Sequence, residues 1–244
     1  MAERAEALLL KFPGTNCDGE TARALRLAGF QARTVPVSLA ARESFEEIDL
    51  VVLPGGFSYG DYVMAGRLAS LEISLRLGDA LHRFHDGGGH VLGICNGFQI
   101  LMQLGLLPAG SLVENLSERF ICRWVELERT VQDSPFLDGL PSRFELPIAN
   151  GEGRFITANP EQAEEYVERG LAAVRYAGDV NGSYARIAGL QSASRRVLGL
   201  MPHPERFVFA RQHYDPDWNV CEGRGWGYFL FRSIREHVRA AAAV

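Results

Sequence analysis

The sequence is poor in several features that would point to a particular class of protein. Lysine occurs once, at Lys11, and the 25 basic and 30 acidic residues leave a formal net charge of -5. Because no basic stretch recurs, a nucleic-acid-binding surface is not expected. No apolar run approaches the roughly 20 residues of a membrane-spanning helix, so no association with a membrane is expected.

Cysteine is also scarce, and its spacing excludes the common cysteine frameworks. The four cysteines, at positions 17, 95, 122 and 221, include no CxxC pair, and the N-terminus lacks the apolar core of a signal peptide. Reduced thiols and a cytoplasmic location are therefore predicted. Neither a P-loop lysine nor a GxGxxG spacing occurs, which argues against a nucleotide site.

The sequence does contain a regular alternation of apolar strands and amphipathic helices. Strands are predicted at 7–12, 31–35, 49–53 and 91–94, and helices at 20–28, 65–85 and 98–104. This order predicts an α/β fold, a doubly wound, mostly parallel sheet with flanking helices, with functional residues at the carboxyl ends of its strands. Because 47% of the 244 residues are hydrophobic and no linker is apparent, residues 1–244 are expected to form a single domain.

The second half of the chain is predicted to add a small β region. Further strands are predicted at 119–128, 144–148, 171–176, 185–190 and 197–200, a turn at 149–154 and a closing helix at 226–242. The first two of these strands either extend the main sheet or form an antiparallel patch beside it.

The segment 89–98 has the pattern of a nucleophile elbow. Its apolar strand ends at Cys95, which Gly93 and Gly97 bracket, and a helix follows at once. The tight turn requires glycines because a Cβ would clash where the backbone doubles back. At a helix N-terminus the sulfur is favoured as a thiolate. The alternative is a small buried cysteine with no chemical role.

A cysteine nucleophile requires a base, and the base usually requires an orienting acceptor. Of the six histidines, only His203 lies at a predicted strand end with a carboxylate, Glu205, two positions further on. The prolines on both sides of His203 are expected to keep the segment extended, so that both side chains point to the same side. Cys95, His203 and Glu205 are therefore predicted to form a catalytic triad, the alternative being an ordinary proline-rich loop.

An oxyanion hole is predicted beside Cys95 from two backbone N–H groups. That of Asn96 follows the nucleophile directly, and the Gly55-Gly56 loop offers another at the neighbouring strand end. The turn at Asn16 is expected at the same edge of the sheet.

No metal site is predicted. His82 and His85 lie three residues apart on a helix and could share a metal, but the sequence offers no third ligand nearby, so an exposed helical face is favoured.

These motifs resemble the class I, or triad, glutamine amidotransferases, which have a flavodoxin-like α/β fold. The resemblance rests on segments 93–99 and 202–206. Flanking segments narrow it to the glutaminase subunits of phosphoribosylformylglycinamidine synthase, which act in de novo purine synthesis; they lie at 12–18, 54–62, 119–124, 150–155 and 181–183.

The resemblance implies a reaction and a role for each residue of the site. Cys95 would attack the side-chain amide of glutamine, and the N–H groups of Gly56 and Asn96 would hold the oxyanion. His203, oriented by Glu205, would protonate the departing ammonia, and water would then hydrolyse the glutamyl thioester.

The resemblance also implies that Gln99 and Phe57 contact the bound glutamine. This sequence departs from the family's pattern at two places. Asn150 stands where the family usually has histidine, and Met64 with Arg67 differs from the usual arginine-then-small pattern. These departures affect the expected contacts around the site and the docking of the partner subunit, and they do not affect the triad.

The resemblance implies partners and no cofactor in this chain. Ammonia would pass to a formylglycinamidine ribonucleotide synthetase subunit, which uses ATP and Mg²⁺, with a small third protein that assists assembly. Alternatives are a class I amidotransferase that serves a different synthetase and a catalytically silent, partner-binding homologue. A protease-like or stress-type relative of the same fold is disfavoured, because such proteins place the histidine soon after the cysteine.

Overall fold

A computed structural model describes residues 5–58, 66–77, 79–219 and 223–242. Its strands are β1 Glu6–Lys11, β2 Gln31–Pro36, β3 Leu50–Leu53, β4 His90–Ile94, β5 Ser111–Glu114, β6 Ile121–Arg129, β7 Arg143–Asn150, β8 Glu152–Ile156, β9 Ala172–Tyr176, β10 Ile187–Gln191 and β11 Val197–Leu200. Its helices are α1 Asp18–Ala28, α2 Val37–Ala40, α3 Arg67–Leu77, α4 Ala80–Asp86, α5 Asn96–Gln103, α6 Pro160–Glu168 and α7 Trp226–Ala242. None of the helices in these ranges is long and apolar enough to cross a membrane.

Within the described ranges, nine strands form one sheet in the order β2-β1-β3-β4-β11-β10-β9-β6-β7, and β5 pairs with β8 separately. In this order the first five strands (β2, β1, β3, β4 and β11) are parallel to one another. Each later pairing, from β11 with β10 to β6 with β7, is antiparallel. β3 and β4 are buried along their whole length, as the apolar sequences of β3 and of residues 91–94 predict. The predicted α/β sheet is confirmed, and strands of the second half extend it.

Two local predictions were wrong, and one helix was not predicted. The helix predicted at 65–85 is two helices, α3 and α4. The turn predicted at 149–154 contains the end of β7 and the start of β8, with only Gly151 between them. The glycines of this segment indicated a turn, but the chain stays in strands on both sides of Gly151, and β7 and β8 pair with different strands, β6 and β5. Helix α6 was missed, although Asn159 caps it and proline occupies its first position.

His90, at the start of β4, is a buried histidine at the end of the sheet opposite to Cys95. Burial, together with the nearby His237 and Arg196, lowers the pKa of His90 to about 4. Its ring packs against those of His237 and Phe136, with centroids 5.2 and 6.1 Å away. The folded protein therefore holds this imidazole neutral at pH values where the unfolded chain protonates it.

This histidine makes a prediction about stability. Since the unfolded chain binds the extra proton below about pH 6.5, the free energy of unfolding is expected to fall by roughly 3 kcal/mol on acidification to pH 4 because of His90. Urea denaturation at pH 7 and pH 4 measures this loss. In His90→Phe, which cannot titrate, the loss is expected to be smaller by a similar amount; an equal loss in both proteins would contradict the assignment.

Candidate active site

The elbow at Cys95 has the strained backbone that a nucleophile elbow requires. Cys95 has φ 51° and ψ -106°, a backbone conformation that residues other than glycine rarely adopt. Its N–H donates to Leu200 O at 2.8 Å, which joins the elbow to β11. Its carbonyl accepts from the N–H groups of Phe98 and Gln99, which begin α5. The sulfur is thus held where β4 ends and α5 begins.

The two bracketing glycines allow α5 to pack directly on the sheet. A Cβ on Gly97 would lie 1.8 Å from Leu53 O, and one on Gly93 would lie 2.6 Å from Gly97 O. Any larger residue at either position would therefore push α5 off β3 and β4 and move Cys95.

His203 and Glu205 form a buried pair. His203 Nδ1 lies 2.6 Å from Glu205 Oε1, and the two residues are 1% and 2% exposed. The backbone differs from the predicted extended segment, because Pro204–Arg206 is a single 3₁₀ turn. Proline fixes a φ that suits the first position of a helix, and the turn brings the carboxylate back to the imidazole. The predicted pairing is present, whereas the predicted conformation is wrong.

The imidazole of His203 lies among acidic groups that favour its protonated form. Burial lowers the pKa of His203, but the carboxylate of Glu205 and the sulfurs of Cys95 and Cys17 raise it, and the resulting pKa of His203 is well above its usual range. Because Nδ1 is engaged with Glu205, Nε2 is the nitrogen left for a sulfur. This arrangement can take a proton from a thiol and return it to a leaving group.

The loop after β3 lies over Cys95. Gly56 forms an antiparallel bridge with Thr15, and Phe57 N–H donates to Gly14 O at 3.1 Å. A Cβ on Gly55 would lie 3.5 Å from Cys95 Cβ. The Asn16 turn, the Gly55-Gly56 loop and Cys95 therefore meet at one edge of the sheet, as the strand order predicts.

A chain of side-chain hydrogen bonds joins this loop to β8. The Asn96 Oδ1 atom accepts from Ser58 N–H at 3.4 Å, and Asn96 Nδ2 donates to Gln99 Oε1 at 2.9 Å. Gln99 Nε2 then donates to Glu152 O at 2.6 Å. The amide of Gln99 is thus engaged with the protein at both ends, beside the elbow.

The remaining residues singled out in the sequence lie around this edge. Phe57 is 48% exposed, and its ring centroid is 6.5 Å from that of Phe120. Asn150 is buried at the end of β7, where its carbonyl accepts from Asn115 Nδ2 at 2.9 Å. Met64 lies outside the described residues.

His82 and His85 have separate partners. His82 Nε2 lies 3.1 Å from Leu104 O, and His85 Nε2 lies 2.8 Å from Ser194 Oγ. Each imidazole therefore contacts its own partner, and the two partners lie on different parts of the chain.

No motif or spacing in the sequence indicates a role for Cys17, which is a neighbour of the triad. The potential metal-ligand atoms of Cys17, His203 and Glu205 lie within 4.8 Å of one another, close enough for all three to bind one metal ion. The guanidinium of Arg206, however, donates to Cys17 Sγ at 3.1 Å, and its positive charge opposes a bound cation. A separation of 186 positions between Cys17 and His203 left no local pattern by which this contact could be predicted.

Known proteins resemble this chain in both sequence and fold. Residues 4–238 match the model of the CobB/CobQ-like glutamine amidotransferase domain. The phosphoribosylformylglycinamidine synthase subunit PurQ of Synechococcus sp. is 45% identical over 227 residues, which cover 91% of this chain and 95% of that protein. The same subunit of Cereibacter sphaeroides is 43% identical over 231 residues, which cover 94% and 96%. A chain of the solved structure of PurLQS from Thermotoga maritima is 36% identical and superposes with a TM-score of 0.78 over 96% of this chain and 99% of that one.

Proposed function

This chain belongs to the CobB/CobQ-like glutamine amidotransferase family, among the glutaminase subunits of phosphoribosylformylglycinamidine synthase, and from this we propose how its residues act. It hydrolyses glutamine and supplies ammonia for the conversion of formylglycinamide ribonucleotide to formylglycinamidine ribonucleotide in de novo purine biosynthesis. The observation that carries the proposal is the buried His203–Glu205 pair beside the strained Cys95.

The reaction begins at the sulfur of Cys95. His203 accepts the thiol proton, and the sulfur attacks the side-chain amide carbon of glutamine to form a tetrahedral oxyanion. The N–H groups of Gly56 and Asn96 stabilise that oxyanion. The imidazolium of His203 then protonates the amide nitrogen, the C–N bond breaks, and ammonia leaves a glutamyl thioester. His203 finally activates the water that hydrolyses the thioester to glutamate and restores the thiol.

The substrate contacts are Gln99 and Phe57. Gln99 lies in the first turn of α5, and its amide is hydrogen-bonded to Asn96, the residue after Cys95, and to Glu152. Phe57 follows the oxyanion loop and presents a half-exposed ring that can cover the bound amino acid.

The chain acts with a synthetase subunit and a small third subunit, as its relative in the Thermotoga maritima PurLQS structure does. Proton transfers by the triad require no cofactor in this chain, and ATP and Mg²⁺ serve the synthetase. A reducing cytoplasm suits the free thiols of Cys17, Cys95 and Cys122. Because strands from both halves of the chain pair in one sheet, residues 1–244 act as a single amidotransferase domain.

An ammonia-release assay tests this function. Glutamine is incubated with the chain alone, and then with the synthetase, the small subunit, formylglycinamide ribonucleotide, ATP and Mg²⁺, and ammonia is measured. We expect slow release from the chain alone and faster release from the complete mixture. If neither mixture releases ammonia above a protein-free blank, the proposed function is wrong.

Replacing Glu205 by alanine is expected to lower kcat for glutamine hydrolysis by about 10³-fold, less than the loss of Cys95 or His203, with little change in KM. The carboxylate orients His203 and does not touch the substrate, and water can partly take its place. Steady-state kinetics across several glutamine concentrations separates the two constants. Wild-type kcat in Glu205→Ala would remove this residue from the triad.

A further inference from the structure

Cys17 is a buried thiol that the proposed mechanism does not use. It lies between β1 and α1, is 1% exposed, and is held from both backbone ends. Its N–H donates to Gly55 O at 3.2 Å, and its carbonyl accepts from Thr21 N–H at 3.0 Å. The sulfur donates to Asn16 Oδ1 at 3.4 Å, so its position is fixed by the fold.

The Cys17 sulfur lies against the His203–Glu205 pair. The donor atoms of the three residues are within 4.8 Å of one another. Gly55 lies beside both the sulfur and the ring: a Cβ there would be 3.5 Å from Cys17 Sγ and 3.0 Å from His203 Cε1. The imidazole is therefore enclosed by Cys95, Cys17 and the oxyanion loop.

Arg206 connects this sulfur to the turn that carries Glu205. Its Nη2 donates to Cys17 Sγ at 3.1 Å, and its Nε donates to Glu20 Oε1 in α1, also at 3.1 Å. One guanidinium thus joins the beginning of α1 to the Pro204–Arg206 turn. A shift of either element would move His203 relative to Cys95.

We propose that Cys17, held by Arg206, is a positioning residue that fixes the His203 imidazole against Cys95. The proposal rests on the proposed function, since it concerns the base of that reaction. It gives a role to a thiol that has neither the exposure nor the placement of a nucleophile.

The groups around His203 determine what the loss of Cys17 does. Among the described residues, the titratable groups that face the imidazole are Glu205, Cys95 and Cys17, and Arg206 contacts Cys17. Cys17 contributes to the raised pKa of His203. Without Cys17, the imidazolium of His203 should lose its proton at a lower pH. Because His203 must be protonated to act as the acid for departing ammonia, the alkaline limb of the kcat profile should then move to lower pH.

The test compares Cys17→Ala and Cys17→Ser in the complex with the synthetase. In Cys17→Ala we expect kcat for glutamine hydrolysis to fall about tenfold with KM within about twofold, and the alkaline limb to move down by about half a pH unit. Serine can still accept from Arg206, so Cys17→Ser should recover most of the activity and the wild-type profile. Cys122→Ala, which removes an exposed thiol, is the matched control and should behave as wild type.

A second readout does not depend on turnover. The pH dependence of Cys95 alkylation by iodoacetamide, followed by peptide mass spectrometry, is expected to differ between wild type and Cys17→Ala. If wild type releases no ammonia, the proposed function fails, and alkylation still tests the positioning role.

Should Cys17→Ala not fold, Arg206→Lys takes its place. An ammonium group cannot contact Cys17 and Glu20 together as the planar guanidinium does, so the shifts should have the same direction. Wild-type kcat, pH profile and alkylation profile in Cys17→Ala, or in Arg206→Lys where the first does not fold, would overturn the proposal. A lower kcat with an unmoved pH profile and unmoved alkylation profile would reduce Cys17 to a packing role and overturn it equally.

Discussion

Cys95→Ala is expected to release no measurable ammonia from glutamine, a loss of at least about 10⁴-fold in kcat. Neither of the other two cysteines that the structure describes can take its place, because Cys17 is buried beside the Gly55 loop and Cys122 is exposed on β6. Alanine has the Cβ that cysteine has, so the positive φ of the elbow costs the variant no more than it costs the wild type. The variant should therefore fold and still bind glutamine.

The measurement pairs the ammonia assay with thermal unfolding and with glutamine binding by calorimetry. A folded Cys95→Ala protein that binds glutamine and does not hydrolyse it locates the chemistry at the sulfur. Retained hydrolysis in that protein would eliminate the thioester mechanism, whatever the behaviour of the other variants.

The parts of this site that the sequence predicts are those encoded by short segments. The elbow is one such segment, because the glycines on both sides of Cys95 and the apolar strand before it lie within a few residues. The His203–Glu205 pair is another, since two positions separate the partners. Even there the backbone differed: the prolines that indicated an extended segment instead begin a 3₁₀ turn.

The parts that could not be predicted depend on which strands become neighbours. The contact of Cys17 with His203 exists because β1 and β11 lie on either side of β3 and β4 in the sheet, so that residues from both ends of the chain meet. Similarly, Gln99 meets Glu152 only because the chain passes from the main sheet at the end of β7 into the separate β5–β8 pair beside α5. Neither contact leaves a periodicity or a spacing in the sequence.

The second large effect is expected from His203→Ala, with a loss of hydrolysis close to that of Cys95→Ala, about 10⁴-fold. Without the imidazole, no group accepts the thiol proton or returns it to the leaving nitrogen. This variant is also expected to be destabilised by about 3 kcal/mol, because Glu205, 2% exposed, becomes a buried carboxylate without its hydrogen-bond donor.

The double variant His203→Ala/Glu205→Ala separates these two effects. Removing both partners leaves no unpaired buried charge, so the double variant should recover part of the unfolding free energy that His203→Ala loses. Hydrolysis should stay absent in both proteins, because stability returns without the base. Urea denaturation of wild type, the two single variants and the double variant gives the coupling energy of the pair. If the double variant is less stable than His203→Ala by the full cost of Glu205→Ala, the two side chains are not coupled, and Glu205 cannot be the group that orients the base.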